Sequence, residues 1–431
     1  MKMKVSIFWF RRDLRLKDNT ALYNALKSGF PVIPIYIFDE DILNGLAIDD
    51  ARVNFIYDSI ENVNSLLNTY NSSLRVFKSS VTEVWETILN DYDIQDVYIN
   101  EDYEPYGLER DRLLSSMLEQ KKVTFKSFTD HVIYKPGKIV KENNSPYTIF
   151  TPFKNKWLKH FTVNPISILP IANYTNLANI IFDFPTLSDL NFSPNKIKVQ
   201  KINLASLDDY SVMRDFPALN GTSYLGPHLR FGTVSIRSII SELKPSNAIF
   251  LSELIWREFF IQILVYYPNV ITENFKSKYN GIEWVNNEDE FKLWCEGETG
   301  YPIVDAGMRQ LNQTGYMHNR VRMITASFLC KHLLIDWRWG EAYFAQKLLD
   351  YELASNNGNW QWVAGTGCDS APYFRVFSPN AQTLKFDSEL KYIKHWVPEL
   401  NEINYTPIID HKFARQRALH AYKTGLQNNP K

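Results

Sequence analysis

Five apolar runs, each followed by a helix-length segment, occupy the first 130 residues of this 431-residue chain. The runs are rich in β-branched and aromatic residues and read VSIFWF, PVIPIYIF, SLRVFKS, QDVYIN and VTFKSF. Strands that alternate with helices predict a doubly wound parallel sheet with helices on both faces. Such a sheet binds ligands at the carboxyl ends of its strands. No GxGxxG motif follows the first run, so a nicotinamide site is not expected.

The pattern changes twice further along the chain. Residues 131–200 contain many turn-forming residues, as in KPGK and ENNSPYT, and predict an irregular but ordered interdomain connection. Beyond residue 200 helical periodicity dominates, as in SELIWREFFIQILVYYP and YMHNRVRMITASFLCKHLLIDW. The sequence therefore predicts an α/β domain at 1–130, a connection at 131–200 and an all-α domain at 201–431.

Composition narrows the class of protein. Apolar residues make up 45% of the chain, and no apolar run is long enough to cross a bilayer. Its start, MKMKVSIFWF, leaves no room for a signal peptide. The three cysteines are far apart, so neither disulfides nor a metal site is expected, and a cytoplasmic location fits best. With a net charge of -1, any DNA binding requires a local basic face.

One helical run carries an unusual face. Glu253, Trp256, Arg257 and Phe260 follow one another at i, i+3, i+4 and i+7, so they lie along one side of a helix. A core helix would present Leu and Ile at these positions. This face therefore predicts either a polar, ligand-lined cavity or an ion pair at a domain boundary.

Indole and amide groups concentrate in the second half of the chain. Eight of the eleven tryptophans fall between Trp256 and Trp396. Indoles stack on bases or flat cofactors and pass electrons, but they also fill large cores. Asn356 and Asn357, beside the WQW segment, each offer an amide that can read the edge of a flat heteroaromatic ring. A flavin or a nucleobase would suit these groups.

Several long motifs resemble the photolyase/cryptochrome family, and in particular its class I cyclobutane pyrimidine dimer (CPD) photolyases. They are FWFRRDLRLKDNTAL, PYTIFTPFKNKW, RDFPALNGTSYLGPHLRFGTVSIR and the run from TGYPIVDAGM to FRVFSPNAQ. The resemblance extends over nearly the whole chain. It implies a Rossmann-like antenna-type domain followed by a helical FAD-binding catalytic domain.

The resemblance also implies which residues hold FAD. The matching positions are Tyr210, Thr222, Ser223, Tyr224, Leu225, Gly226, Arg322, Asp350, Glu352 and Asn356. Tyr224 replaces a family arginine and Glu352 replaces an aspartate, so local contacts are expected to differ. Asn356 matches the residue that faces flavin N5, and a neutral amide there favours an anionic reduced flavin. Trp360, Trp337 and Trp284 match the family's electron-transfer triad.

The resemblance also implies which residues bind the pyrimidine dimer. These are Glu253, Trp256, Asn319, Arg320, Met323 and Trp362. The two indoles would supply an apolar wall, while Glu253 and Asn319 would bind base edges. Glu253 must be protonated to donate to a carbonyl, which a desolvated setting would favour. The expected DNA contacts outside the dimer are Arg214, Arg257, Arg320, Arg375 and Gln382.

The implied activity is that of a deoxyribodipyrimidine photo-lyase, which repairs pyrimidine dimers in ultraviolet-damaged DNA with light and reduced FAD. We expect a monomer with no obligate protein partner and no membrane contact. A cryptochrome-type photoreceptor and a (6-4) photolyase remain alternatives, although (6-4) enzymes typically carry a histidine pair where this chain has Met317 and His318. Leu46, Tyr106 and Gly107 depart from the folate-binding pattern, so an antenna would be a deazaflavin or a flavin mononucleotide, or be absent.

Overall fold

A computed structural model describes residues 2–170, 172–402 and 406–428. Contacts within the chain divide it into two units, each built from several stretches of sequence. The first unit comprises Met1–Lys138, Lys159–Gln200 and Leu225–Leu243. The second unit comprises Ile139–Leu158, Lys201–Tyr224 and Lys244–Lys431. The domain limits at residues 130 and 200 follow the sequence pattern and stay a prediction.

The described residues of the first unit form a five-stranded parallel sheet, which confirms the predicted fold class. Its strands are β1 Lys4–Phe10, β2 Val32–Asp39, β3 Arg75–Ser79, β4 Asp93–Asn100 and β5 Thr124–Phe128. They lie in the order β3-β2-β1-β4-β5, so the winding reverses between β1 and β4. All of β2 and all but the first residue of β1 are buried, because helices cover both faces of the sheet.

Helices follow the strands as the alternating pattern predicts. They are α1 Thr20–Ala25, α2 Glu40–Leu43, α3 Ala51–Asn68, α4 Val81–Asp91 and α5 Pro105–Gln120. Two helices from further along the chain, α8 Leu225–Phe231 and α9 Ile236–Ser241, also belong to the first unit. Short polar side chains accept hydrogen bonds from the first-turn amides of several of them, namely Asn19, Asp39, Asp50, Ser80 and Ser235. These side chains satisfy backbone donors that have no partner within a helix.

The prediction of an irregular segment at 131–200 is wrong in part. Helix α6 runs from Phe150 to Val163 within this segment. Its buried residues Phe150, Phe153 and Trp157 lie at i, i+3 and i+7, which is one face of a helix. The surrounding Pro, Asn and Ser residues predict turns, so the short helical periodicity of the apolar residues was not recognised.

The second unit is helical, as predicted. Its helices are α7 Tyr210–Met213, α10 Ala248–Tyr266, α11 Glu288–Glu296, α12 Pro302–Thr314, α13 Asn319–Ser327, α14 Trp337–Lys347, α15 Leu353–Ala364, α16 Pro379–Phe386, α17 Lys391–Trp396 and α18 His411–Asn428. Short 3₁₀ turns occur at Pro245–Asn247, Pro268–Ile271 and Ser277–Tyr279, and a further one in the first unit at Tyr174–Asn176. No helix in the described part of the chain is long and apolar enough to span a membrane.

The second predicted helical run, residues 316–337, is not one continuous helix. Helix α13 passes into a π-helical turn at Phe328–Leu333, which ends where Leu334 adopts a left-handed conformation with φ of 54°. Asp336 then caps α14 by accepting from the backbone N–H of Arg338. The break places Trp337 at the start of a new helix, inside the main core of the second unit.

A buried ion network lies within the first unit. Arg237 on α9 donates through Nε to Asp18 at 3.0 Å and through Nη2 to Asp130 at 2.7 Å. Burial alone would raise the pKa of Asp130, but the guanidinium groups of Arg15 and Arg237 hold that pKa below its usual range. The positive charge of Arg237 therefore compensates the negative charges of both buried carboxylates, Asp18 and Asp130.

Replacing Arg237 with Met should destabilise the protein by about 3–5 kcal/mol, because two buried carboxylates would lose a partner. Urea denaturation of the wild type and the variant measures this difference. The matched control is Lys244→Met, which breaks an exposed ion pair with Asp208 and should cost at most about 1 kcal/mol. Similar losses for the two variants would contradict the assigned role of the network.

Candidate functional site

A cavity of about 410 Å³ lies within the second unit. Residues of α10, α13 and α15 line it, together with Arg214 after α7 and the segment that joins α14 to α15. It brings together most of the predicted site residues, which are Arg214, Glu253, Trp256, Arg257, Asn319, Arg320, Arg322, Met323, Asp350, Glu352, Asn356, Trp360 and Trp362. Residues from separate parts of the sequence thus meet in one space.

The polar face of α10 lines this cavity. Glu253, Trp256, Arg257 and Phe260 all contribute to its wall, which confirms the cavity interpretation of their spacing. Phe150 of α6 stacks on Trp256, with ring centroids 3.6 Å apart and planes 8° apart. Sequence analysis missed Phe150, because nothing in the local pattern links residues 150 and 256. It supports the Trp256 indole from behind the cavity wall.

Arg322 and Asp350 form an ion pair at the cavity wall. Arg322 donates through Nη2 to Asp350 Oδ2 at 2.8 Å and through Nε to the Met317 carbonyl at 2.7 Å. Burial opposes the charge on Arg322, yet Asp350 raises the pKa of its guanidinium. The other oxygen of Asp350, Oδ1, is buried without a hydrogen-bond partner among the described residues. The pair therefore presents an unused acceptor, as a cofactor N–H would require.

The two neighbouring asparagines have different roles. Asn356 lines the cavity and donates through Nδ2 to the carbonyl oxygen of Glu341 at 3.1 Å and to its Oε1 at 2.8 Å. Asn357 does not read a ligand edge, contrary to the prediction: it is buried and donates to the Val270 carbonyl. Asn357 is turned by about 100° around α15 relative to Asn356, and its amide is used inside the protein by the Val270 carbonyl.

Predicted phosphate and ribityl contacts are divided between the two units. Tyr210, Thr222, Ser223 and Tyr224 belong to the second unit, whereas Leu225 and Gly226 begin α8 in the first. Within the second unit, Tyr316 connects this segment to the cavity, since its hydroxyl donates to Thr222 Oγ1 at 3.1 Å. Its ring centroid lies 5.8 Å from the Arg322 guanidinium. Sequence analysis missed Tyr316, although it directly precedes the Met317-His318 pair.

The predicted tryptophan triad shares one core. Trp360 lines the cavity, Trp337 is fully buried, and Trp284 packs against the same hydrophobic cluster. Trp337 donates through Nε1 to Asn274 Oδ1 at 2.9 Å. Trp294 was not predicted as an electron carrier, yet its ring centroid lies 6.2 Å from that of Trp360. Trp294 is thus an indole neighbour of Trp360 that the sequence did not indicate.

Three of the four arginines predicted to contact DNA have carboxylate partners. Arg214 pairs with Glu253 at 2.6 Å, Arg320 with Asp215 at 2.7 Å and Arg257 with Glu352 at 3.1 Å. In the DNA-free protein the Glu253 side chain is 34% exposed and bound to the Arg214 guanidinium, so the desolvated setting that would favour its protonated form is absent.

Two residues predicted to contact DNA, Arg375 and Gln382, do not line the cavity, and neither does His318. Arg375 is exposed on the segment after α15, and Gln382 is half-buried on α16. His318 has a structural role: it caps α13 by accepting from the backbone N–H of Arg320 at 3.2 Å. Burial lowers the pKa of His318 to about 4, so it is neutral near pH 7.

The winding of the first unit's sheet reverses between β1 and β4, and a small space lies beyond the carboxyl ends of these strands. This space between charged side chains measures only about 10 Å³, enough for about one water. Tyr106 donates to Asp39 at 2.6 Å. A side chain at Gly107 would collide with Asp102, since an added Cβ would lie 2.7 Å from Asp102 Cγ. A larger residue at position 107 would therefore require rearrangement of Asp102. That folate is not the antenna stays a prediction.

Comparison with known proteins agrees with this geometry. Residues 6–171 match the family model described as DNA photolyase, and residues 250–420 match the FAD binding domain of DNA photolyase. A deoxyribodipyrimidine photo-lyase from Vibrio cholerae is 37% identical over 97% of this chain and 99% of its own length.

Solved structures give the same result. A class III photolyase from Agrobacterium tumefaciens superposes with a TM-score of 0.87 at 34% identity, covering 99% of this chain and 98% of that one. A cryptochrome from Synechocystis superposes with a TM-score of 0.85 at 27% identity, covering 98% and 99%. The chain therefore belongs to the DNA photolyase/cryptochrome family, and its helical half is that family's FAD-binding domain.

Proposed function

We propose that this protein repairs cyclobutane pyrimidine dimers in DNA with light, as a deoxyribodipyrimidine photo-lyase. One observation carries the proposal: four of the residues assigned to FAD, namely Arg322, Asp350, Glu352 and Asn356, line the same cavity as the residues assigned to the dimer. Electron transfer between two ligands requires them to be close, and a shared cavity provides that closeness. Within this proposal the enzyme is a cytoplasmic monomer of the CPD class that needs no protein partner.

The residues present fit a flavin. Asp350 Oδ1 is an unused buried acceptor, Arg322 fixes the orientation of its carboxylate, and Trp360 offers an aromatic surface. When bound, reduced FAD supplies the electron that opens the cyclobutane ring under blue or near-ultraviolet light, and it takes that electron back afterwards.

Asn356 favours the reduced form of this cofactor. Its Nδ2 group is bonded to Glu341, so its carbonyl oxygen is the atom left to face a ligand. An acceptor stabilises a ring nitrogen that carries hydrogen, as in reduced flavin, and disfavours one that carries a lone pair. Burial raises the pKa of the Glu341 carboxyl group above its usual range, although the hydrogen bond from Asn356 opposes this shift.

The dimer would bind between an apolar wall and a few directional polar groups. Trp256 and Trp362 supply flat surfaces, and the flexible thioether of Met323 fits the irregular cyclobutane ring. Glu253 and Asn319 can bond to base edges. A dimer inside a duplex must be extruded to reach such a cavity, and weakened stacking at the lesion lowers the cost of extrusion. Arg214, Arg257, Arg320 and Arg375 would hold flanking phosphates, with Gln382 as a polar contact.

Repair of a thymine-dimer duplex by the purified, reduced holoprotein tests the proposal. Dimers should disappear under blue light and persist in a parallel dark sample. A duplex with a (6-4) lesion, treated in the same way, should remain unrepaired, since His318 caps a helix and has Met317 as its neighbour. Loss of neither lesion, with reduced FAD bound, would favour a cryptochrome-type photoreceptor, and loss of the (6-4) lesion would favour that substrate.

Replacing Glu253 with Ala should slow dimer splitting more than it weakens binding. The lost group would stabilise charge that develops on the pyrimidine carbonyl, so the repair rate should fall by roughly 10²-fold. Binding to dimer DNA should change by less than about tenfold. Single-turnover repair and dark binding titrations measure the two effects. Equal losses in rate and affinity would contradict the assignment.

Replacing Trp337 with Phe should block light-driven reduction of oxidised FAD while repair by chemically reduced protein continues. Phenylalanine keeps the packing volume but is much harder to oxidise than indole. The matched control is Trp294→Phe, which removes another buried indole of the same hydrophobic cluster, 6.2 Å from the Trp360 ring, and should leave photoreduction intact. If Trp294→Phe abolishes photoreduction and Trp337→Phe does not, the electron reaches Trp360 through Trp294, which would contradict the assigned role of Trp337.

A further inference from the structure

Two residues with different assigned partners on the substrate are bonded to each other in the DNA-free protein. Arg214 Nη1 donates to Glu253 Oε1 at 2.6 Å, and both side chains line the cavity. Burial opposes the charge on Arg214, yet its bond to Glu253 raises the pKa of the guanidinium. Glu253 cannot donate to a pyrimidine carbonyl while it is ionised and paired in this way. A hydrogen bond from Glu253 to a pyrimidine carbonyl therefore requires a change of partners.

The charges around Glu253 come from several elements. Tyr210 on α7 lies beside Arg214, with 5.3 Å between the ring centroid and the guanidinium carbon. On α10, Arg257 pairs with Glu352, and on α13, Arg320 pairs with Asp215 and Arg322 with Asp350. Each of these guanidinium groups already has its own carboxylate. Among the described residues, Arg214 is therefore the counter-ion of Glu253.

We propose that lesion binding exchanges these partners: a DNA phosphate takes Arg214, and Glu253 takes up a proton from solvent and donates it in a hydrogen bond to the dimer. This inference rests on the proposed repair function. It assigns Arg214 a second role as the residue that keeps Glu253 ionised until DNA is present.

Three changes would favour the neutral carboxylic acid at the same time. Glu253 loses its cation, the bases cover a side chain that is 34% exposed, and the phosphates bring negative charge close to it. Asp215 provides a contrast. Its side chain is 40% exposed and does not line the cavity, so it should stay hydrated and ionised if Arg320 also moves to a phosphate.

The exchange would contribute to selectivity. Undamaged DNA can offer a phosphate to Arg214, but no extruded base covers Glu253, so the carboxylate stays in water and keeps its charge. Only a phosphate and a dimer together make Glu253 a hydrogen-bond donor.

Calorimetric titration in the dark tests this inference directly. The holoprotein is titrated with a thymine-dimer duplex or with the undamaged duplex, in buffers that differ in ionisation enthalpy. The dependence of the measured heat on that enthalpy gives the number of protons taken up. We expect about one proton per dimer duplex near neutral pH and a much smaller number for undamaged DNA.

Three variants separate the parts of the exchange. Glu253→Gln retains a donor but cannot titrate, so it should bind dimer DNA without proton uptake. Asp215→Asn removes the other paired carboxylate and should keep the uptake. Arg214→Gln should lower the slope of log affinity against log salt by about 0.9, because one phosphate contact is lost.

The outcomes distinguish the inference from the function on which it rests. Selective binding of dimer DNA by the wild type without proton uptake overturns the inference and leaves the repair proposal intact. An unchanged salt slope in Arg214→Gln also overturns it, because Arg214 would not have moved to a phosphate. No preference for dimer DNA over undamaged DNA overturns the repair proposal itself.

Discussion

The ion pair between Arg322 and Asp350 joins α13 to the segment before α15, and both of these elements line the cavity. Arg322 on α13 bonds to Asp350 in the segment before α15 and to the Met317 carbonyl, and it lies beside the Tyr316 ring. Through Tyr316 it also connects to Thr222. A guanidinium is suited to this position because it has five donors in a rigid plane and stays charged when buried. Its carboxylate partner retains one free oxygen for a ligand.

A cavity lined by so many charges is costly unless each charge has a partner. This chain meets that cost with arginine–carboxylate pairs that each join a helix, α10 or α13, to a connecting segment. Those with an exposed member, such as Arg320–Asp215, can exchange partners at little cost in solvation. The more deeply buried pair, Arg257–Glu352, is better suited to fixing the shape of the site. The same interactions that stabilise the empty protein thus provide cations for a polyanionic ligand.

Two kinds of feature could be predicted from the sequence: elements marked by a local periodicity of apolar residues, and site residues that lie within long motifs. The apolar runs gave all five strands, because a sheet buried on both faces needs continuous apolar segments. The spacing of Glu253 and Trp256 placed both on the cavity side of α10. Phe150, Tyr316 and Glu341 escaped prediction because their roles depend on contacts with residues distant in sequence. Asn357 was misassigned because composition alone does not show which helical face a residue occupies.

The central claim is that one cavity holds the flavin and the dimer close enough for electron transfer. The fluorescence lifetime of reduced FAD, measured in the holoprotein with and without a thymine-dimer duplex, tests this most directly. We predict that the dimer duplex shortens the lifetime, while the same undamaged sequence leaves it unchanged. An unaltered lifetime with the dimer duplex fully bound would show that the two ligands do not share the cavity, and would contradict the account.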